Sequence, residues 1–218
     1  MSEHRTLNYF TSPEFVKLDV KSGVIRSRGG TRMIAVNEDF LRGFVAACEH
    51  ETGPAAALVL RRCGEFFGRR LARRFEAELG QFAGVSLRDR NMAEFDILVR
   101  DLWSGCGLGQ LEIDWDRGQH GFLAIRLTDS PMQDIGPSGH VGDDMFAGIL
   151  CGFFSGFCDA EMRSVQTGDL RLGDREGTTF VVAATEVARR VEGMKANKQL
   201  HSAIVAALTA GASGPQPG

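Results

Sequence analysis

From Phe15 to Val36, apolar and polar positions alternate in short runs broken by turn residues: FVKLDV, SG, VIRS, RGG and TRMIAV. This period-two pattern with β-branched residues predicts consecutive strands joined by tight turns. The period then lengthens. Asn37 precedes FLRGFVAAC, whose apolar residues fall at helical spacing, so Asn37 is the expected N-cap. Gly53 closes that helix and Pro54 opens the next. The longest predicted helix, AAALVLRRCGEFFGRRLARRFEAEL, sets Leu60, Cys63, Phe67, Leu71 and Phe75 on one face and Arg62, Arg69, Arg70, Arg73 and Arg74 on the other. Glu65, Glu76 and Glu78 offset these arginines, which favours a solvated face over a phosphate or membrane-surface site.

MAEFDILVRDLWSGCG reads as a third helix stopped by glycines, and GLGQLEIDW and GFLAIRLT alternate around DRGQHG as a hairpin would. TDSPM ends the second strand, and a loop with Gly136, Pro137 and Gly139 follows. DDMFAGILCGFFSGFCDAEM is an apolar helix with Gly148, Gly152 and Gly156 at every fourth position, a stripe that permits another backbone to approach closely. After the loop VQTGDLRLGDREG come the strand-like TTFVVAATEV and a last amphipathic helix, VARRVEGMKANKQLHSAIVAAL. Helices and hairpins alternate in blocks, which predicts an α+β fold: an antiparallel sheet with helices packed on one side. Residues 1–14 are expected to form a flexible N-terminus, 15–208 one domain, and 209–218 a disordered tail.

Composition narrows the function classes. A hydrophobic content of 43% over 218 residues suits one well-buried globular unit. The net charge of −3 gives no basic footprint for nucleic acid. No run of about 18 apolar residues offers a bilayer span. MSEHRTLNYFTSPEF lacks the apolar stretch of a signal peptide, so a cytoplasmic location without membrane insertion is expected. The five cysteines, Cys48, Cys63, Cys106, Cys151 and Cys158, form no CxxC pair and predict reduced thiols.

Candidate chemistry is sparse. Cys151 and Cys158 lie two helical turns apart and could hold a soft metal with His140 or Asp143, but zinc ligands usually sit at short loop spacings, which favours buried core thiols. His120 at the hairpin tip and His140 in the Gly-rich loop belong to no evident nucleophile and base constellation. GCGLGQ lacks the strand-to-helix context of a dinucleotide fingerprint. The stretch from Asp169 to Gly177 carries Asp169, Asp174 and Glu176, yet Leu170 and Leu172 alternate with Arg171 and Gly173, so the alternating oxygen ligands of a calcium loop are missing.

The succession GVIRSRGGTRMIAV, ALVLRRCGEFFGRRLARRF, GLGQLEIDWDRGQHGFLAIRLTDSPM and AGILCGFFSGFC resembles the 4-vinyl reductase domain family, which includes the sensor domains of phenol- and xylene-responsive bacterial transcription activators. The resemblance spans about Val16 to Val182 and implies the NO-signalling/Golgi-transport-like fold shared with vesicle-tethering TRAPP subunits, usually dimeric, with an apolar cavity between sheet and helices. In metal-bearing relatives a Glu and two Cys follow the small-residue helix. The corresponding positions here are Gln166, Asp169 and Thr178, with Phe180 as the retained aromatic, so the resemblance implies a zinc site that has lost its ligands.

The implied cavity would be lined by Phe95, Trp103, Trp115, Phe122, Phe146, Phe153 and Phe157, although aromatics at such spacing also serve as plain core. FLRGFVAACEHETG and AGILCGFFSGFC are also similar to the ring-forming scaffold component of bacterial cellulose synthase, a protein of cellulose biosynthesis without metal or enzyme activity. The leading expectation is a non-enzymatic ligand-binding or sensor domain with no metal or other cofactor. It would act as a homodimer or higher homo-oligomer that receives a small apolar ligand and signals through a partner protein. A structural assembly component is the rival, and an enzyme such as a tetrapyrrole vinyl reductase ranks third because no proton donor or redox cofactor site is visible.

Overall fold

The computed structural model describes residues 8–84, 86–132, 143–158, 160–168 and 177–212. An antiparallel meander opens the chain: β1 (Val16–Asp19), β2 (Val24–Ser27) and β3 (Arg32–Met33). Helix α1 (Glu38–Thr52) starts where Asn37 Oδ1 accepts the Phe40 amide, as the sequence predicts. It stops at Gly53, whose φ of 53° only glycine adopts freely. After a short turn at Gly53–Ala55 come α2 (Ala56–Ala83) and α3 (Met92–Gly105), the latter capped by Asn91.

A second sheet is built from β4 (Gln110–Asp114), β5 (Phe122–Thr128), β6 (Met162–Gly168) and β7 (Thr178–Ala184), in the antiparallel order β4-β5-β7-β6. Helix α4 (Asp144–Ser155) precedes β6, and α5 (Thr185–Ala196) and α6 (His201–Ala212) end the described chain. The fold is therefore α+β with antiparallel sheets, as expected. Among the described residues no helix is long and apolar enough to cross a membrane.

Side-chain alternation along β7 divides the interior into two cores. Phe180 and Val182 belong to the main core, with α2, α3 and α4. Val181 and Ala183 join Ala188, Val191, Ile204 and Leu208 from α5 and α6 in a smaller one. Helices thus form the principal layer on one face, and the last pair covers part of the other.

The main core is organised by the contact of α2 with α4. A Cβ added to Gly148 would strike the Arg61 carbonyl oxygen, and one added to Gly152 would strike that of Glu65. The fit is reciprocal: a Cβ on Gly64 would strike the Met145 carbonyl and one on Gly68 that of Ile149. Two glycine pairs at four-residue spacing therefore let the backbones touch, as the stripe on α4 predicts. The face of α2 needs correction. Cys63 is exposed and Phe67 is 38% exposed, because the helix turns Gly64 and Gly68 inward beside Leu60, Leu71 and Phe75.

Residues 8–14, expected as part of a flexible N-terminus, are instead anchored: Tyr9 and Phe10 are 2% and 3% exposed. The Tyr9 hydroxyl donates to Glu78 Oε2 at 3.1 Å, and Ser27 and Thr31 donate to Oε1 at 2.8 and 2.9 Å. One buried carboxylate on α2 thus fastens the N-terminal segment and the meander. Burial, followed by the charge of Glu78, pushes the Tyr9 hydroxyl up to about 12. Two further boundaries differ. Residues 209–212, expected in a disordered tail, continue α6. The predicted last helix is two, broken where Lys198 takes a φ of 58°.

Two stability measurements follow from this packing. Gly152→Ala should lower stability by about 1–3 kcal/mol by forcing α2 and α4 apart, whereas Gly193→Ala, with nothing within 4 Å of its added methyl, should be neutral or stabilising. Equal melting temperatures for the two variants would contradict the close contact. Tyr9→Phe should cost about 1.5–3 kcal/mol by taking a donor from a buried carboxylate, read as a shifted denaturation midpoint.

Candidate functional site

The ends of five elements meet around an apolar cleft of about 460 Å³. The start of α3 supplies Met92 and Phe95, and the turn before it supplies Leu87 and Arg90. A 3-10 turn over Trp115–His120 replaces the tight hairpin turn expected at DRGQHG and contributes Trp115 and Gly118. Gly121, Phe122 and Leu123 come from the start of β5, Phe154, Phe157 and Cys158 from the end of α4 and just beyond it, and Met162 and Ala184 from the sheet. The volume falls within the range of small-molecule sites, about 300–1,000 Å³.

The aromatic wall is held edge to face, the arrangement that the ring quadrupoles favour. Phe95 stands 5.7 Å from Trp115 and 5.4 Å from Phe157, and Trp115 stands 6.1 Å from Phe154. The Trp115 indole N–H donates to Asp96 Oδ1 at 2.7 Å, which fixes the ring on α3. Arg90 is the charged residue among the described lining. Its side chain is only 8% exposed, its Nη1 lies 3.3 Å from Glu94 Oε2, and its buried Nε has no hydrogen-bond partner among the described residues. Leaving such an N–H unpaired costs about 1–3 kcal/mol.

Of the seven aromatics predicted to line a cavity, Phe95, Trp115, Phe122 and Phe157 do so. Trp103, Phe146 and Phe153 do not. All three are fully buried core residues, with Trp103 6.3 Å from Phe146 and 6.2 Å from Phe153. Helical spacing alone cannot separate a wall from a core when both are aromatic. Sequence reasoning missed Phe154, Met92, Met162 and Arg90. Phe154 could have been found from its neighbour Phe153, since successive helix positions point about 100° apart. Nothing local marks Arg90.

A larger concavity, about 870 Å³, opens between β4, β5 and α6. Its arginines already have partners: Arg126 pairs with Glu112, Arg117 with Asp114 and Arg100 with Asp96. The smaller cleft differs in that its described walls are largely Leu, Met, Phe and Trp, with the Arg90–Glu94 pair at one edge.

The positions expected to have lost zinc ligands are brought together by a different group. Gln166 Nε2 donates to Asp143 Oδ2 at 3.3 Å and the buried Thr178 hydroxyl donates to the same oxygen at 2.8 Å. Asp169 lies outside the described residues, as do Asp174, Glu176 and His140. An amide, a hydroxyl and one carboxylate do not fit the thiolate and imidazole set that zinc favours. Among the described residues no three His, Cys, Asp or Glu side chains cluster. Nor do Cys151 and Cys158 share a face. Cys151 is buried on α4 with its Sγ 2.9 Å from the Met162 carbonyl, while Cys158 is exposed beyond the helix end. Burial and then Glu65 push the Cys151 thiol up, which disfavours thiolate chemistry.

The α+β fold is similar to that of a solved structure, the phenol-responsive sensory domain of the transcription activator PoxR with phenol: TM-score 0.66 and 16% identity over 91% of this chain and 98% of that one. A trafficking protein particle complex subunit 3 from Naegleria fowleri, covalently bound to palmitic acid, has a TM-score of 0.49 at 14% identity, covering 67% of this chain and 93% of its own. A vinyl-4-reductase family protein from Methanocaldococcus jannaschii has a TM-score of 0.44 at 17% identity, covering 69% and 82%. No family model matches the chain, and no curated protein does.

Beside the Asp143 cluster, burial holds the Asp144 carboxyl above the ordinary carboxylate pKa, with Arg61 and Lys195 offsetting part of the effect. A raised value in the folded state means that this group favours folding at low pH and loses that contribution as pH rises through the folded value. Asp144→Asn should therefore melt higher than wild type at pH 7, with the gap closing as pH falls toward about 4, near the unfolded value. A gap that widens on acidification would contradict this assignment.

Proposed function

We propose that this chain is a non-enzymatic ligand-binding domain. It takes a small apolar, aromatic molecule in the cleft between α3, α4 and the sheet, acts as a homodimer, and transmits occupancy to a partner protein. The observation that carries this reading is the cleft itself, with its edge-to-face aromatic wall and its apolar lining from five separate elements. A ligand that binds one arrangement of Phe95, Phe157 and Trp115 better than another shifts the balance between arrangements of α3 and α4. The described lining offers one thiol and one guanidinium but no carboxylate or imidazole to act as a base, which favours binding over catalysis.

Helix α1 supports self-association. It buries Val45 alone, and Phe40 and Phe44 are 58% and 37% exposed. Phe66 on α2 and Val20 and Ile34 beside the meander are also exposed, an apolar surface that a second copy would cover. Native mass spectrometry of the purified chain tests both parts of the proposal. A dimer carrying a co-purified small molecule is the expected result. A ligand-free ring of more than two copies would overturn it in favour of an assembly component.

A further inference from the structure

Arg90 is placed where an apolar cleft has no ordinary use for it. Guanidinium stays protonated at every accessible pH and carries five N–H donors. Here the side chain is nine-tenths buried, lines a cleft whose other described walls are largely Leu, Met, Phe and Trp, and has a buried Nε with no described partner. Its one described contact is monodentate, from Nη1 to Glu94 at 3.3 Å.

No described hydrogen bond uses the other edge of the planar group, whose Nε is buried. That edge, formed by Nε and Nη2, can grip a carboxylate through two parallel bonds. Arg100 uses the same pair of nitrogens on the two carboxylate oxygens of Asp96 in this protein. Arg90 also stands just ahead of the Asn91 cap of the 14-residue α3, where unpaired helix amides add positive potential. Glu94 offsets part of that potential without occupying the Nε edge.

Resting on the reading of the cleft as a ligand site, we infer that its ligand is an aromatic carboxylic acid. The aromatic body lies against Phe95, Trp115 and Phe157, and the carboxylate accepts from Arg90. A neutral aromatic of the same shape would fill the cleft but leave the arginine as it is now.

Isothermal titration of the full chain with 2-naphthoate and with neutral naphthalene-2-methanol separates the two claims. Wild type should bind the carboxylate about tenfold tighter or more, the ratio expected of a charge-assisted hydrogen bond. Arg90→Met should lose that preference while keeping its affinity for the alcohol, which also shows that the variant is folded. Arg90→Lys, which keeps charge but lacks Nε, should fall between. Glu94→Gln, by removing the competing negative charge, should tighten naphthoate binding and leave the alcohol unchanged. Equal affinity of wild type for the two probes would overturn the acid inference and leave the apolar cleft standing, as would a preference that survives in Arg90→Met. If neither probe binds wild type, both readings fail.

Discussion

The rest of the structure depends on the contact between α2 and α4, where two helix backbones meet with no side chain between them. Four glycines make it possible: Gly64 and Gly68 on one helix, Gly148 and Gly152 on the other. Glycine is costly in a helix interior, roughly 1 kcal/mol each relative to alanine. Dispersion between closely packed backbones and the side chains drawn in around them has to offset that cost. The approach brings Phe153 against Phe75 at 5.8 Å and seats Trp103 and Phe146 beside them. The main core is the consequence.

The cleft is a second consequence. Because α4 is held against α2, its C-terminal end delivers Phe154 and then Phe157 to the side of the sheet where β5 and β6 begin. Helix α3 reaches the same place from the opposite direction, fixed by the Asn91 cap and the Trp115–Asp96 hydrogen bond. Asp143, just before α4, ties the helix start to Gln166 and Thr178 on the two neighbouring strands. Ring positions in the wall are therefore set by contacts outside it, as preorganised binding requires.

Much of this was legible locally. Turn residues, the Asn37 cap, the Gly53 stop and the stripe on α4 carry their structural meaning in a few consecutive residues. The complementary stripe on α2 was hidden because the arginines and Phe67 suggested a different inward face, and only the partner helix decides that face. The anchoring of Tyr9 rests on a carboxylate 69 residues away, so no nearby signal marks it. The break before α6 falls at Lys198, a residue type that seldom takes a positive φ, where neither glycine nor proline announces it. Four aromatic walls of the cleft were foreseen. The three that proved to be core differ from them only in tertiary surroundings. Arg90 is meaningful only once the apolar walls around it are known.

On the proposed function, an apolar molecule enters this cleft and no other part of the protein. Methyl-labelled methionine NMR tests it most directly, since Met92 and Met162 line the cleft while Met33 and Met194 lie elsewhere. Titration with a small neutral aromatic such as 2-naphthol should shift the Met92 and Met162 methyl signals together and saturably, and leave Met33 and Met194 in place. Unmoved signals at Met92 and Met162, or saturable shifts confined to the other methionines, would rule out the cleft as the ligand site.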